Sequence, residues 1–133
     1  MGYWRNHPEA WTAEILARIQ ATDQRYDGAD GSTPDGRLTA SEVTAAFAPP
    51  GTYPRVTSAQ LLATYLNLGT RRINAATTIS SRTTVRLGLT NVRAAGLYAQ
   101  ETLLLPVVPS TADRYSDTTT VLDEINNNRS EIY

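Results

Sequence analysis

The chain has no cysteine and no lysine; all twelve of its basic residues are arginine, and it holds one histidine, one phenylalanine and one methionine. Without thiols there is no disulfide, thiol nucleophile, iron–sulfur cluster or cysteine-based zinc site. One imidazole rules out any centre that needs two. The absence of lysine removes the P-loop lysine, Schiff-base chemistry and Lys–Asn isopeptide crosslinks. Long apolar runs are missing as well. Leu103-Leu104-Leu105-Pro106-Val107-Val108 is six residues and broken by proline, against the ~20 that a membrane span needs. The start, Met1-Gly2-Tyr3-Trp4, lacks a signal-peptide shape, and Asn6 stands where an N-myristoylation motif has Ser or Thr. A leader removed ahead of Gly2 would leave a secreted or cell-surface location open.

What remains is a folded composition. At 133 residues the chain has the length of one domain, 1–133, and 41% hydrophobic residues are too many for a disordered chain. Charge is unevenly spread. Residues 1–42 carry seven acids and four arginines, residues 43–100 six arginines and no acid, and residues 101–133 six acids and two arginines. Either the basic middle packs against the acidic ends, or Arg71, Arg72, Arg82, Arg86 and Arg93 form a face for a polyanion or a neighbouring subunit. Nucleic acid is disfavoured by the missing lysines and a pI near 5.8.

The periodicity predicts an all-α fold, a small bundle of about five helices. Asn6 or His7 caps a first helix over 8–22, with Pro8 in its first turn and Trp11, Ile15, Leu16 and Ile19 at helical spacing. Residues 23–38 read as a loop. Thr39-Ala40-Ser41-Glu42 is a capping box opening a helix over 40–47, which Pro49-Pro50-Gly51 ends. Thr57-Ser58-Ala59-Gln60 is a second such box, and Leu61, Leu62, Tyr65, Leu66 and Leu68 mark a helix from about 58 to Gly69 or 76. Residues 77–84 read as loop, 87–104 as a helix stopped by Pro106, and 116–127 as the last helix.

The chemistry concentrates between the first two helices. A hard divalent cation takes six to eight oxygens, and the 23–42 segment is rich in oxygen donors, with no thiol or imidazole nearby. Asp35-Gly36-Arg37-Leu38-Thr39-Ala40-Ser41-Glu42 resembles the back half of an EF-hand or dockerin calcium loop. Asp35 falls at the fifth position and Gly36 at the sharp turn. Arg37 falls where a backbone carbonyl binds, Thr39 at the ninth position and Glu42 at the twelfth. The front half departs. Counting back from Glu42 places Gly31 first and Thr33 third, neither a carboxylate. The early ligands then come from across an insertion, with Asp27 and Asp30 preferred and Asp23 as the alternative. The bland counterpart is an acidic, glycine-rich surface loop ahead of a well-capped helix.

A second signal lies at the start. Gly2-Tyr3-Trp4-Arg5-Asn6-His7-Pro8-Glu9-Ala10-Trp11 resembles the GYWKNHPEAW signature of bacterial secreted and cell-surface proteins, with one Lys-to-Arg change. Gln60 to Leu68 looks like a later helix of that family with a Leu-Asn pair, and Leu122 to Asn127 like its C-terminal helix end. The resemblance implies an extracytoplasmic helical module rather than a known reaction. The residues themselves suit a structural lock, in which Trp4, His7 and Trp11 pin the N-terminus to the bundle; the sharper alternative makes Trp4, His7, Glu9 and Trp11 a carbohydrate or catalytic cluster.

Together these features give an expectation of a non-catalytic, calcium-binding surface, adhesion or assembly module. A self-assembling filament or layer subunit and a small polysaccharide hydrolase are the alternatives. Asn128-Arg129-Ser130 is a formal glycosylation sequon, the threonine-rich stretches read as solvated loop, and Ile132-Tyr133 either docks on a neighbour or is disordered.

Overall fold

A computed structural model describes residues 2–48, 52–127 and 131–132. Pro49-Pro50-Gly51, the sequon and Tyr133 lie outside the described residues. The fold is all-α, a small bundle. Its helices are α1 (Gly2–Arg5), α2 (Ala13–Thr22), α3 (Ala40–Phe47), α4 (Arg55–Gly69), α5 (Arg82–Leu87), α6 (Val92–Thr102) and α7 (Ala112–Asn126). Short 3₁₀ turns cover Pro8–Ala10, Gln24–Tyr26 and Pro109–Thr111. Two two-residue strands, β1 (Ile79–Ser80) and β2 (Glu131–Ile132), pair antiparallel, Ile79 opposite Ile132.

The central element is α4. Leu61, Leu62, Ala63, Thr64 and Leu66 have no exposed surface, as expected of a helix buried nearly all round. It packs on α2, α3, α6 and α7. One apolar cluster gathers Trp4, Trp11, Leu16, Ile19, Val43 and Phe47 around α4, and a second gathers Ile73, Ile79, Leu89, Val92, Val121 and Ile125; Leu68 packs against both. No helix among the described residues is long and apolar enough to cross a membrane.

The capping box at Thr39 is present in full. Thr39 Oγ1 accepts the Glu42 N–H at 3.3 Å and Glu42 Oε1 accepts the Thr39 N–H at 2.9 Å. Other boundaries differ from the sequence expectation. The first helix is split: α1 and the Pro8–Ala10 turn precede α2, whose N-cap is Thr12, not Asn6 or His7. The Thr57 box does not cap, because α4 begins at Arg55; Thr57 is fully buried and its hydroxyl meets Thr119 Oγ1 at 2.7 Å. Residues 77–84 hold β1 and the start of α5, capped by Ser81. The single helix over 87–104 is broken at Gly88, whose φ of +73° ends α5, and Asn91 caps α6 afresh by accepting the Ala94 N–H at 2.8 Å. The last helix begins at Ala112, about one turn earlier than the expected start at 116.

Candidate functional site

Helix α2, the 23–39 segment and α3 place the acidic residues. Asp27 sits past the Gln24–Tyr26 turn, where its carboxylate closes the loop on itself. Oδ1 accepts the Asp35 N–H at 3.2 Å and Oδ2 accepts the Gly36 N–H at 2.8 Å. Gln20, in the last turn of α2, gives its amide N–H to Oδ2 at 3.2 Å. Gly36 turns with φ +83°, a left-handed conformation in which a side chain is strained, in keeping with its place at the sharp turn. Gly28 also has positive φ, and a Cβ there would meet the Ser32 carbonyl oxygen at 2.9 Å.

Glu42 faces the same place from α3. Only 2% of it is exposed. Its Oε1 accepts from Thr39 N–H and, at 3.0 Å, from Thr39 Oγ1; its Oε2 accepts from the Gly28 N–H. The Asp27 and Glu42 carboxylates lie within hydrogen-bonding reach of each other. Neither belongs to an ion pair among the described residues. Desolvation pushes the Asp27 carboxyl up, but the Gly36 and Asp35 N–H groups, with Glu42 and Gln20, outweigh it and hold the group below its ordinary value.

The other expected donors point elsewhere. Asp30 is exposed and bonds to the Ser32 N–H at 3.0 Å and the Ser41 hydroxyl at 2.7 Å. The hydroxyls of Ser32 and Ser41, then the Ser32 N–H, pull its carboxyl down to about 2. Asp35 accepts the Arg37 N–H at 3.0 Å in a local turn. Asp23 is buried away from the loop, against Arg25 Nε at 2.7 Å and the Tyr65 hydroxyl at 2.8 Å. Thr39 stays at Glu42. Among the described residues no group of three His, Asp or Glu side chains converges closely enough to hold an ion. The expected set of Asp27, Asp30, Asp35, Arg37, Thr39 and Glu42 is therefore assembled only in part, around Asp27 and Glu42.

The N-terminal motif packs onto the bundle. Trp4 is 3% exposed and its indole N–H reaches Asn67 Oδ1 at 3.1 Å. Asn67 Nδ2 continues to Asn126 Oδ1 at 2.9 Å, so the motif is tied through α4 to α7. Trp11 is buried against Phe47, ring centroids 6.1 Å apart. Tyr3 stacks on His7 at 4.2 Å, His7 Nδ1 meets Glu9 Oε1 at 2.7 Å, and the Arg72 guanidinium lies 4.2 Å over the Tyr3 ring. Trp4 and Trp11 thus belong to the core and present no shared aromatic platform.

The arginines of the middle segment are dispersed. Arg72 is engaged on Tyr3 and Trp4, and Arg86 forms a two-pronged bridge to Asp117 at 3.0 and 2.8 Å. Arg82 and Arg86 lie on α5, Arg93 on α6, and Arg71 past the end of α4 with φ +61°. Four surface cavities range from about 220 to 600 Å³, and Asp27 is the one carboxylate that lines any of these four.

Sequence reasoning missed Gln20 and Asn67, and it read Arg72 as part of a polyanion or subunit face rather than as a cation over Tyr3 and Trp4. Gln20 left a trace: it is a polar residue on the helical face shared with Ala13, Leu16 and Ala17. The contacts of Asn67 and Arg72 left none, since their partners are about sixty or more residues away. Comparison of the chain with protein-family models, with curated proteins and with solved structures returned no match.

Proposed function

We propose that the chain is a calcium-stabilised, non-catalytic helical module that works outside the cytoplasm, in a surface, adhesion or assembly protein. One observation carries the reading: two carboxylates, Asp27 and Glu42, meet inside a loop with no cationic side chain on either. Like charges so placed repel unless a cation or a proton lies between them. The Gly36 and Asp35 N–H groups favour ionised Asp27, and a cation takes the place of the proton that otherwise bridges it to Glu42. The donor set is all oxygen, which suits calcium. Asp27 serves as the first ligand across the insertion and Glu42 as the last. Carbonyl oxygens of the loop, Arg37 among them, and water complete the shell. The bound ion adds stability and takes no part in a reaction. The extracytoplasmic setting rests on the Gly2–Trp11 resemblance.

The test is thermal unfolding with excess calcium and with a chelator. A ligand that binds only the folded chain adds about 2.7 kcal/mol at a hundredfold excess over Kd, roughly 10 °C in Tm at this length. The difference between the two melts should vanish in Glu42→Gln and Asp27→Asn and persist in Asp30→Asn. Reading the difference, rather than Tm itself, separates ion binding from loss of the α3 cap. Equal Tm with calcium and with chelator overturns the reading.

A further inference from the structure

Residues 102–112, at the junction of α6 and α7, hold no charged side chain. Leu104 is 82% exposed, Val107 46% and Val108 39%. None of the three lines any of the four surface cavities. The loop is held in one shape: Thr111 Oγ1 donates to the Pro106 carbonyl at 2.6 Å and accepts the Val108 N–H at 3.0 Å. Its aliphatic side chains cannot turn inward without breaking these bonds.

The same end of the bundle carries Tyr53 and two arginines. Tyr53 is 37% exposed, and its ring lies 5.7 Å from that of Tyr115, whose hydroxyl donates to the Leu105 carbonyl at 2.7 Å. Leu103 lines a cavity of about 480 Å³ together with Pro54, Arg25 and Arg55, and no acid lines it. Arg25 gives its Nε to Asp23, and Arg55 is in no ion pair among the described residues. Of the acids that bracket the loop, Glu101 pairs with Arg114 at 3.6 Å and Asp113 acts on Arg86 of α5. An exposed aliphatic loop, a tyrosine beside it and two arginines are thus gathered at one place.

We propose that this end of the chain docks on the surface of an anionic phospholipid bilayer, with Leu104, Val107 and Val108 among the upper acyl carbons and Arg25 and Arg55 on lipid phosphates. Aliphatic side chains leave water for hydrocarbon, and arginine pairs with phosphate. Tyrosine settles where the apolar and wet layers meet. The contact lies on the bilayer and does not span it. A protein partner fits less well. Leucine and valine seldom anchor protein interfaces, whose hot spots are tryptophan, tyrosine and arginine seated in pockets. A fluid bilayer receives exposed aliphatic side chains without a matching pocket. The contact uses neither Asp27 nor Glu42 and stands apart from the calcium reading.

The experiment is co-sedimentation with vesicles of dioleoyl phosphatidylglycerol and of dioleoyl phosphatidylcholine, in chelator so that no calcium bridges protein to lipid. Half of the chain should bind at about 1 mM phosphatidylglycerol, roughly tenfold weaker than a single myristoyl chain gives. Binding to phosphatidylcholine should be weaker by about fivefold or more. Leu104→Asn should weaken binding about tenfold by removing one aliphatic side chain from the acyl layer. Arg55→Gln should weaken it about fivefold, the worth of one arginine at an anionic surface. Both positions are exposed, so circular dichroism should show an unchanged fold. No sedimentation at about 10 mM lipid, equal binding to the two vesicles, or binding unchanged in Leu104→Asn would overturn the proposal. So would a dimer, seen by light scattering, that Leu104→Asn dissolves while the parent ignores vesicles.

Discussion

Replacing Asn67 by alanine cuts the junction between the N-terminal motif, the central helix and the last helix. Asn67 accepts the Trp4 indole N–H at 3.1 Å and donates to Asn126 Oδ1 at 2.9 Å. Trp4 is 3% exposed, so no water replaces the lost acceptor, and an orphaned buried donor costs about 1–3 kcal/mol. Asn126 Oδ1 keeps the Thr64 hydroxyl at 3.1 Å, so the second loss is that of an ordinary hydrogen bond, about 1 kcal/mol. Together the substitution should cost about 2–4 kcal/mol. With an unfolding entropy of about 2.1 cal/mol/K per residue, that lowers Tm by roughly 7–14 °C. Stability alone does not show that the Trp4 bond is responsible, so Trp4→Phe completes a double-mutant cycle. In the phenylalanine background no indole N–H is left to orphan, and Asn67→Ala should cost about 1 kcal/mol or more less than in the parent. Urea unfolding followed by circular dichroism measures all four proteins. Costs that add to within about 0.3–0.5 kcal/mol would refute the relay, because uncoupled sites behave that way.

Three other outcomes are expected. The Asp30 carboxyl is held at about 2 by Ser32 and Ser41; a depressed folded value gives stability that is whole above the unfolded value of about 3.9 and is lost as pH falls toward 2. Asp30→Asn should therefore flatten the dependence of Tm on pH in that window, leaving the residual slope from Asp27, whose carboxyl is also lowered. Arg72→Leu removes the cation 4.2 Å above the Tyr3 ring and should cost about 0.5–1 kcal/mol, read by urea unfolding. Leu62→Ala empties a fully buried position on α4 and should cost about 2–5 kcal/mol by the same measurement, with a loss below 1 kcal/mol counting against α4 as the central helix.

The helical class, the oxygen-rich loop and the chemistry excluded by missing cysteine and lysine were legible in the sequence. So was the Thr39–Glu42 box, because a cap closes within four residues and depends on little else. The left-handed turn at Gly36 was legible for the same reason. Other features needed the third dimension. Thr57 and Gln60 have the spacing of a cap, yet packing against α7 turned Thr57 to Thr119 and Gln60 to Asp123. Leu87 and Leu89 continue an apolar pattern across a break that exists because Gly88 reverses the chain and Leu89 joins the second cluster. Among Asp23, Asp27 and Asp30, the sequence reading preferred Asp27 and Asp30 together and could not separate the two. Asp27 meets Glu42 because the N–H groups of Asp35 and Gly36 draw its carboxylate inward, while Arg25 with Tyr65 and Ser32 with Ser41 hold the other two away. Local order is written within a turn of helix or loop; the partner of a side chain forty or sixty residues away is decided only when whole elements pack.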